Sequence, residues 1–191
     1  MTKWIIIGVV ALLVIFGFRS YNGLVTLDED VGKAWGNVES DYQRRADLIP
    51  NLVNTVKGYA NFEKETLTQV IQARASATQV KIDASNLTPE NLAAYQQAQS
   101  GVSSALSRLL VVADNYPDLK ANQNFLDLQA QLEGTENRIN VSRQRFNDTV
   151  NEYNKSRRSF PNVLFSAMMG FSEKGYFKAE AGSEKAPEVK F

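Results

Sequence analysis

The apolar positions of this chain fall into two regimes. From Trp4 to Phe18 the residues are uncharged and almost all apolar, bounded by Lys3 and Arg19. Further on they recur at helical spacing. Val31, Trp35, Val38, Tyr42, Arg45, Ile49, Leu52, Val56 and Tyr59 follow alternating steps of four and three, a heptad seam in which Arg45 is the one charged member. Nothing from Asp28 to Thr78 reads as a loop. Pro50 removes a backbone hydrogen bond there, but Leu48-Ile49 offers no turn chemistry, so a kink is expected rather than a hairpin.

A second helix is predicted from Pro89 to about Asn115, with Thr88 as its cap, Pro89 at the first helical position and Asn91 in the capping-box position. Asn115-Tyr116-Pro117-Asp118 reads as a turn and restart, and a third helix carries Phe125, Leu128, Leu132, Ile139, Phe146 and Tyr153 to about Arg157. The fold class is therefore all-α. An N-terminal transmembrane helix precedes an antiparallel bundle of long helices, three of them, or four if the first breaks at Pro50. The organisation expected is an anchor over 1–20, a bundle over 21–178 and a disordered tail over 179–191, whose composition cannot support a core. At 1.5 Å per residue the first helix would span ~87 Å, the second ~40 Å and the third ~61 Å. The second returns only half the length of the first. The seam around Val31, Trp35, Val38 and Tyr42 is thus expected to pack against other subunits. The apolar groups from Phe160 to Phe177 are expected to cover an end or groove of the bundle, or else to form a membrane or protein contact.

The run Trp4 to Phe18 would cover ~22 Å as a helix, against a hydrocarbon core of ~30 Å. Lys3, Arg19, Trp4 and Tyr21 extend it by snorkelling and interfacial placement. Bulky and charged residues stand where a signal-peptide cleavage site needs small ones, so an uncleaved anchor is expected. The positive charges, Lys3 with the amino terminus before the run and Arg19 after it, favour a cytoplasmic N-terminus.

Composition narrows the chemistry. The chain has 191 residues, 21 basic and 21 acidic, and neither His nor Cys. Thiol and imidazole catalysis, disulfides and the usual zinc sites are excluded. Balanced charge gives no reason to expect nucleic acid. Glu63, Glu65, Glu133, Glu136 and Asp47 invite a carboxylate metal cluster, but di-iron bundles pair such acids with His, so no metal or cofactor is expected.

Several separated motifs are similar to those of the LemA family. They are Tyr21-Asn22, Ala34-Trp35, Arg44 to Val53 with Asp47 and Pro50, Val56 to Ala60, Tyr116 to Ala121, Phe125-Leu126, Leu128, Leu132, Glu136, Arg143, Phe146-Asn147, Tyr153-Asn154, Phe160-Pro161 and Gly170-Phe171. The similarity covers about residues 1 to 178. Asn61-Phe62-Glu63 departs from the family, which often has His before the Glu. The resemblance implies one N-terminal membrane helix, an antiparallel helical bundle and no established activity. It also implies a short N-terminus outside, opposite to the charge count. The side of the bundle stays open between these, with an extracytoplasmic bundle as the working expectation.

Two features stand out within the bundle. Arg45 either snorkels while the seam drifts onto Ala46, or is buried against a carboxylate, Glu136 or Asp47, and fixes register. Asn140, Gln144, Asn147, Asn151 and Asn154 form an amide stripe of poor helix formers. It is either solvated or hydrogen-bonded across a helix interface. Trp35, Arg45, Asp47, Pro50, Glu136, Arg143, Asn147 and Asn154 are accordingly structural or interface candidates, none catalytic. The function expected is a non-enzymatic scaffold or assembly factor in a bacterial cell membrane, working through self-association or envelope protein partners. The alternative is a ligand- or peptide-binding accessory subunit of a membrane protease or transport system.

Overall fold

The computed structural model describes residues 2–58 and 63–179. Tyr59, Asn61, Phe62 and all of the expected tail except Ala179 lie outside the described residues. The helices are α1 (Thr2–Lys57), α2 (Lys64–Gln79), α3 (Pro89–Ala113), α4 (Pro117–Lys120), α5 (Gln123–Arg158) and α6 (Asn162–Phe165). A 3-10 turn at Ala84–Asn86 links α2 to α3, and an extended strap, 171–179, follows α6.

Local chemistry sets the ends. Asp83 accepts from the Ser85 backbone N–H and starts the 3-10 turn, while Thr88 accepts from Asn91 N and Pro89 opens α3. The third predicted helix is two, because Asn122 caps α5 by accepting from Phe125 N at 3.1 Å. Pro50 neither ends nor divides α1. It lies on the exposed side, and α1 runs on to Lys57. The ~3 kcal/mol that an interior proline costs is outweighed by burial of Ile49, Leu52 and Val53, at ~1.5–3 kcal/mol each. The break falls after Lys57, and the chain resumes as α2. Among the described residues four long helices therefore build the bundle, the first expected helix being divided after Lys57 and not at Pro50, where the four-helix alternative placed the break.

The pairing is antiparallel. Ser142 Oγ on α5 donates to Asp41 Oδ2 on α1 at 2.7 Å, Arg108 Nη1 on α3 to Gln69 Oε1 on α2 at 2.9 Å, and Arg74 Nε on α2 to Ala46 O on α1 at 2.7 Å. One core half holds Ile49, Leu52, Val56, Val70, Leu109 and Phe125. The other holds Val31, Trp35, Val38, Tyr42, Leu92, Tyr95, Ile139, Phe146, Val150 and Tyr153.

That second half corrects the expectation of an intersubunit seam. Val31, Trp35, Val38 and Tyr42 are buried within their own chain. The partner is α5, whose 36 residues return along α1 until the segment behind it reaches Ser20. The second long helix predicted, α3, is too short to cover the seam, but α5 runs beside it.

The N-terminal run is not a separate element. It is the first part of α1, continuous with the bundle seam. Among the described residues, no helix is long and apolar enough by itself to cross a membrane.

Candidate functional site

The most elaborate polar arrangement centres on Arg45, which is 2% exposed. Its Nη1 donates to Glu136 at 2.9 Å and to Ser103 Oγ at 2.8 Å. Its Nη2 donates to Gln99 O at 3.0 Å and to Gln99 Oε1 at 2.8 Å. The guanidinium also lies 5.0 Å from the centre of the Tyr42 ring. One side chain thereby ties α1 to α3 and α5. Its planar fork suits this, because divergent N–H groups can meet a carboxylate, a hydroxyl and an amide together. Asp47 is not part of the arrangement. It is exposed and accepts from Gln43 Nε2 one turn earlier.

Beside Arg45 lies a cavity of about 440 Å³ between α1, α2 and α3, lined by Glu39, Tyr42, Arg74, Lys81 and Tyr95 among others. Burial pushes the Tyr95 hydroxyl well above its ordinary range. It also raises the Glu39 carboxyl, against the lowering influence of the Trp35 indole, while the Asp83 charge adds to the rise. Trp35 itself packs against Tyr95 at 5.1 Å, Phe146 at 5.7 Å and Phe177 at 6.2 Å between ring centres.

The amide stripe divides. Asn140, Gln144 and Asn151 are exposed, whereas Asn147 and Asn154 grip the strap. Asn154 Nδ2 donates to Lys174 O at 2.9 Å and Oδ1 accepts from Lys174 N at 3.2 Å. Asn147 repeats the pattern with Phe177, both bonds being 2.9 Å. From α3, Gln96 does the same with Lys178, at 2.7 and 3.1 Å. The spacing is geometric. Seven helical residues rise ~10.5 Å and three extended residues ~10 Å, so amides two turns apart meet backbone units three residues apart. Arg143 Nη2 caps the series on Lys178 O at 2.9 Å and covers the Phe177 ring at 5.0 Å.

Sequence reasoning passed over several participants, among them Gln96, Gln99, Ser103, Lys174 and Gly175. Gly175 donates to Leu87 O, and a Cβ there would stand 2.8 Å from Pro89 Cα, so only glycine fits. Lys174 is buried, with Nζ 3.0 Å from Asp28 on α1. The available signal was the seven-residue Asn spacing together with a Gly-aromatic stretch too short for a helix. Among the described residues no group of three or more acids is placed to hold a metal ion.

The family comparison spans this whole arrangement, from Trp35 to the strap: the LemA family profile matches residues 34–191. The chain belongs to the LemA family. Magnetosome protein MamQ 2 of Paramagnetospirillum magneticum is 24% identical over 200 residues, covering 94% of this chain and 72% of that protein. MamQ of Magnetospirillum gryphiswaldense is 25% identical over 178 residues, 82% of this chain and 64% of its own length. Protein LemA of Metamycoplasma hominis is 24% identical over 139 residues, 73% and 60% respectively. In this chain the bundle carries polar side chains that join helices and hold a strap. In the described residues these groups bond one another.

Proposed function

We propose that this LemA-family protein is a single-pass, membrane-anchored helical scaffold or assembly factor of the bacterial cell membrane, without catalytic activity, acting through protein partners or self-association. The observation that carries the reading is the exposed apolar surface of α1. Trp4, Ile5, Ile6, Ile7, Leu12, Val14, Ile15, Phe16 and Phe18 are all exposed on one projecting helix. Eleven Ile, Val, Leu or Phe residues from Ile5 to Phe18 would favour a bilayer by on the order of 5 kcal/mol. The run is short for a full span, and Lys3 and Arg19 would reach the headgroups by snorkelling. Because anchor and bundle share one helix, the bundle would be held at a set orientation to the membrane, as suits a scaffold.

A peptide-binding accessory role is the second reading. It is supported by the groove between α3 and α5, which holds an extended segment partly through side-chain amide bonds to its backbone. Alkaline carbonate extraction tests the anchor: the protein should remain in the membrane fraction with its N-terminus intact, and release of a soluble form beginning near Ser20 would overturn it. Mass measurement after purification in mild detergent separates the roles. An oligomer or bound protein supports the scaffold, and a copurified peptide or small molecule supports the accessory role.

A further inference from the structure

The segment between α5 and the strap is strongly apolar, yet much of it covers nothing. Phe160 is 82% exposed, Met168 85% and Leu164 58%, and Val163 is also exposed. Large apolar groups gathered in so short a stretch mark a contact surface.

Its position identifies the contact. Ser20 Oγ donates to Asn162 Oδ1, which ties α6 to α1 just past Arg19. The Tyr21 and Phe171 rings are 5.7 Å apart. Met169 shares an apolar groove with Val14, Gly17, Phe18 and Tyr21. The segment therefore lies alongside the last turn of the uncharged run, not beyond it. Cations sit at the same level: Arg19 follows the run, and Lys155 and Arg158 close α5 just before Phe160, all three exposed.

We propose that residues 160–169 form a second membrane contact, an apolar apron lying in the headgroup and acyl boundary beside the anchor. The proposal rests on the anchored reading above, since it takes its depth from the run in α1. Exposed apolar groups bordered by basic side chains match the composition of an interfacial segment on anionic lipid. Such an apron would lengthen the short anchor's grip and resist tilting of the bundle, because the contact stands to one side of α1.

The chain has no cysteine, so single substitutions report cleanly. Full-length protein with a spin label at Leu164→Cys or Met168→Cys is placed in phosphatidylglycerol-containing vesicles, with Phe18→Cys as the anchor reference. Val111→Cys, exposed at the opposite end of the bundle, is the water reference. The 164 and 168 labels should collide with oxygen severalfold more than with a water-soluble nickel complex, as at 18 and unlike 111. Nickel access at 164 and 168 with oxygen access at 18 would overturn the apron and leave the anchor standing. Nickel access at all four sites would overturn both. Labels at 164 and 168 shielded from both quenchers and broadened by a neighbouring label would assign the surface to a second copy and overturn the lipid contact.

Discussion

Replacing Asn154 with Ala isolates the hold of the bundle on its strap. The side chain is 1% exposed, and it both donates to and accepts from Lys174 while also donating to Tyr176 Oη at 3.1 Å. Truncation removes all three bonds and leaves the Lys174 N–H and C=O without their partner in a site with little room for water. A typical hydrogen bond contributes ~0.5–1.5 kcal/mol net, and an abandoned buried polar group costs ~1–3 kcal/mol. A loss of about 3 kcal/mol is expected, lowering Tm by roughly 6–12 °C for a chain of this size. Asn151→Ala, one turn away and exposed, should change Tm by less than about 2 °C, because surface substitutions usually stay within ~0.5 kcal/mol. Thermal unfolding in mild detergent, followed by helical circular dichroism, measures both. Hydrogen exchange then locates the effect. The amides of Lys174 and Phe177 should exchange faster in Asn154→Ala while those of α3 stay protected. If Asn154→Ala and Asn151→Ala melt alike, or the strap amides exchange as in the wild type, the assignment of the amides as a clamp is refuted.

Gly175→Ala should loosen the same strap from another side, since its Cβ would stand 2.8 Å from Pro89 Cα; faster exchange at Gly175 neighbours and a lowered Tm are the expected readouts. Arg45→Ala should cost about 3 kcal/mol, because it leaves the buried Gln99 acceptors without their donor and removes a packed side chain, while the half-exposed Glu136 can be solvated; Arg45→Met combined with Glu136→Gln should recover part of that loss by restoring packing. Equal melting of the two variants would count against the network. Glu39 has a folded-state pKa raised above its ordinary 4.5, so its contribution is present below the unfolded value and lost as pH rises through the folded one. Glu39→Gln should therefore gain stability relative to wild type between acid and neutral pH, read as a Tm difference that grows with pH.

Much of the bundle was legible in the chain, because helix periodicity and capping are local. The alternation of four and three marks one face of a helix wherever it occurs, and Thr88-Pro89 starts a helix through bonds to its own next turn. Arg45 was visible as an interruption of the seam, with Glu136 as one of two candidate partners. Choosing between snorkelling and pairing required the position of α5, which no local pattern contains. Pro50 was expected to kink rather than end the first helix, and α1 does run on through it. Its cost is intrinsic, but whether it breaks the helix depends on how firmly Ile49, Leu52 and Val53 are packed. The intersubunit seam failed because length alone cannot tell which later helix returns beside α1.

The sequence by itself determined the helical class, the apolar N-terminal run and the buried face of α1, since each depends on residues within a few turns of one another. Tertiary structure decided the reversal after Lys57, the pairing of α1 with α5 and the use of Asn147 and Asn154. A helical stripe identifies a face but not what covers it. Here the cover is an extended strap 20 to 30 residues further along the chain, bound mainly through its backbone, and a backbone N–H and C=O are what every residue but proline shares.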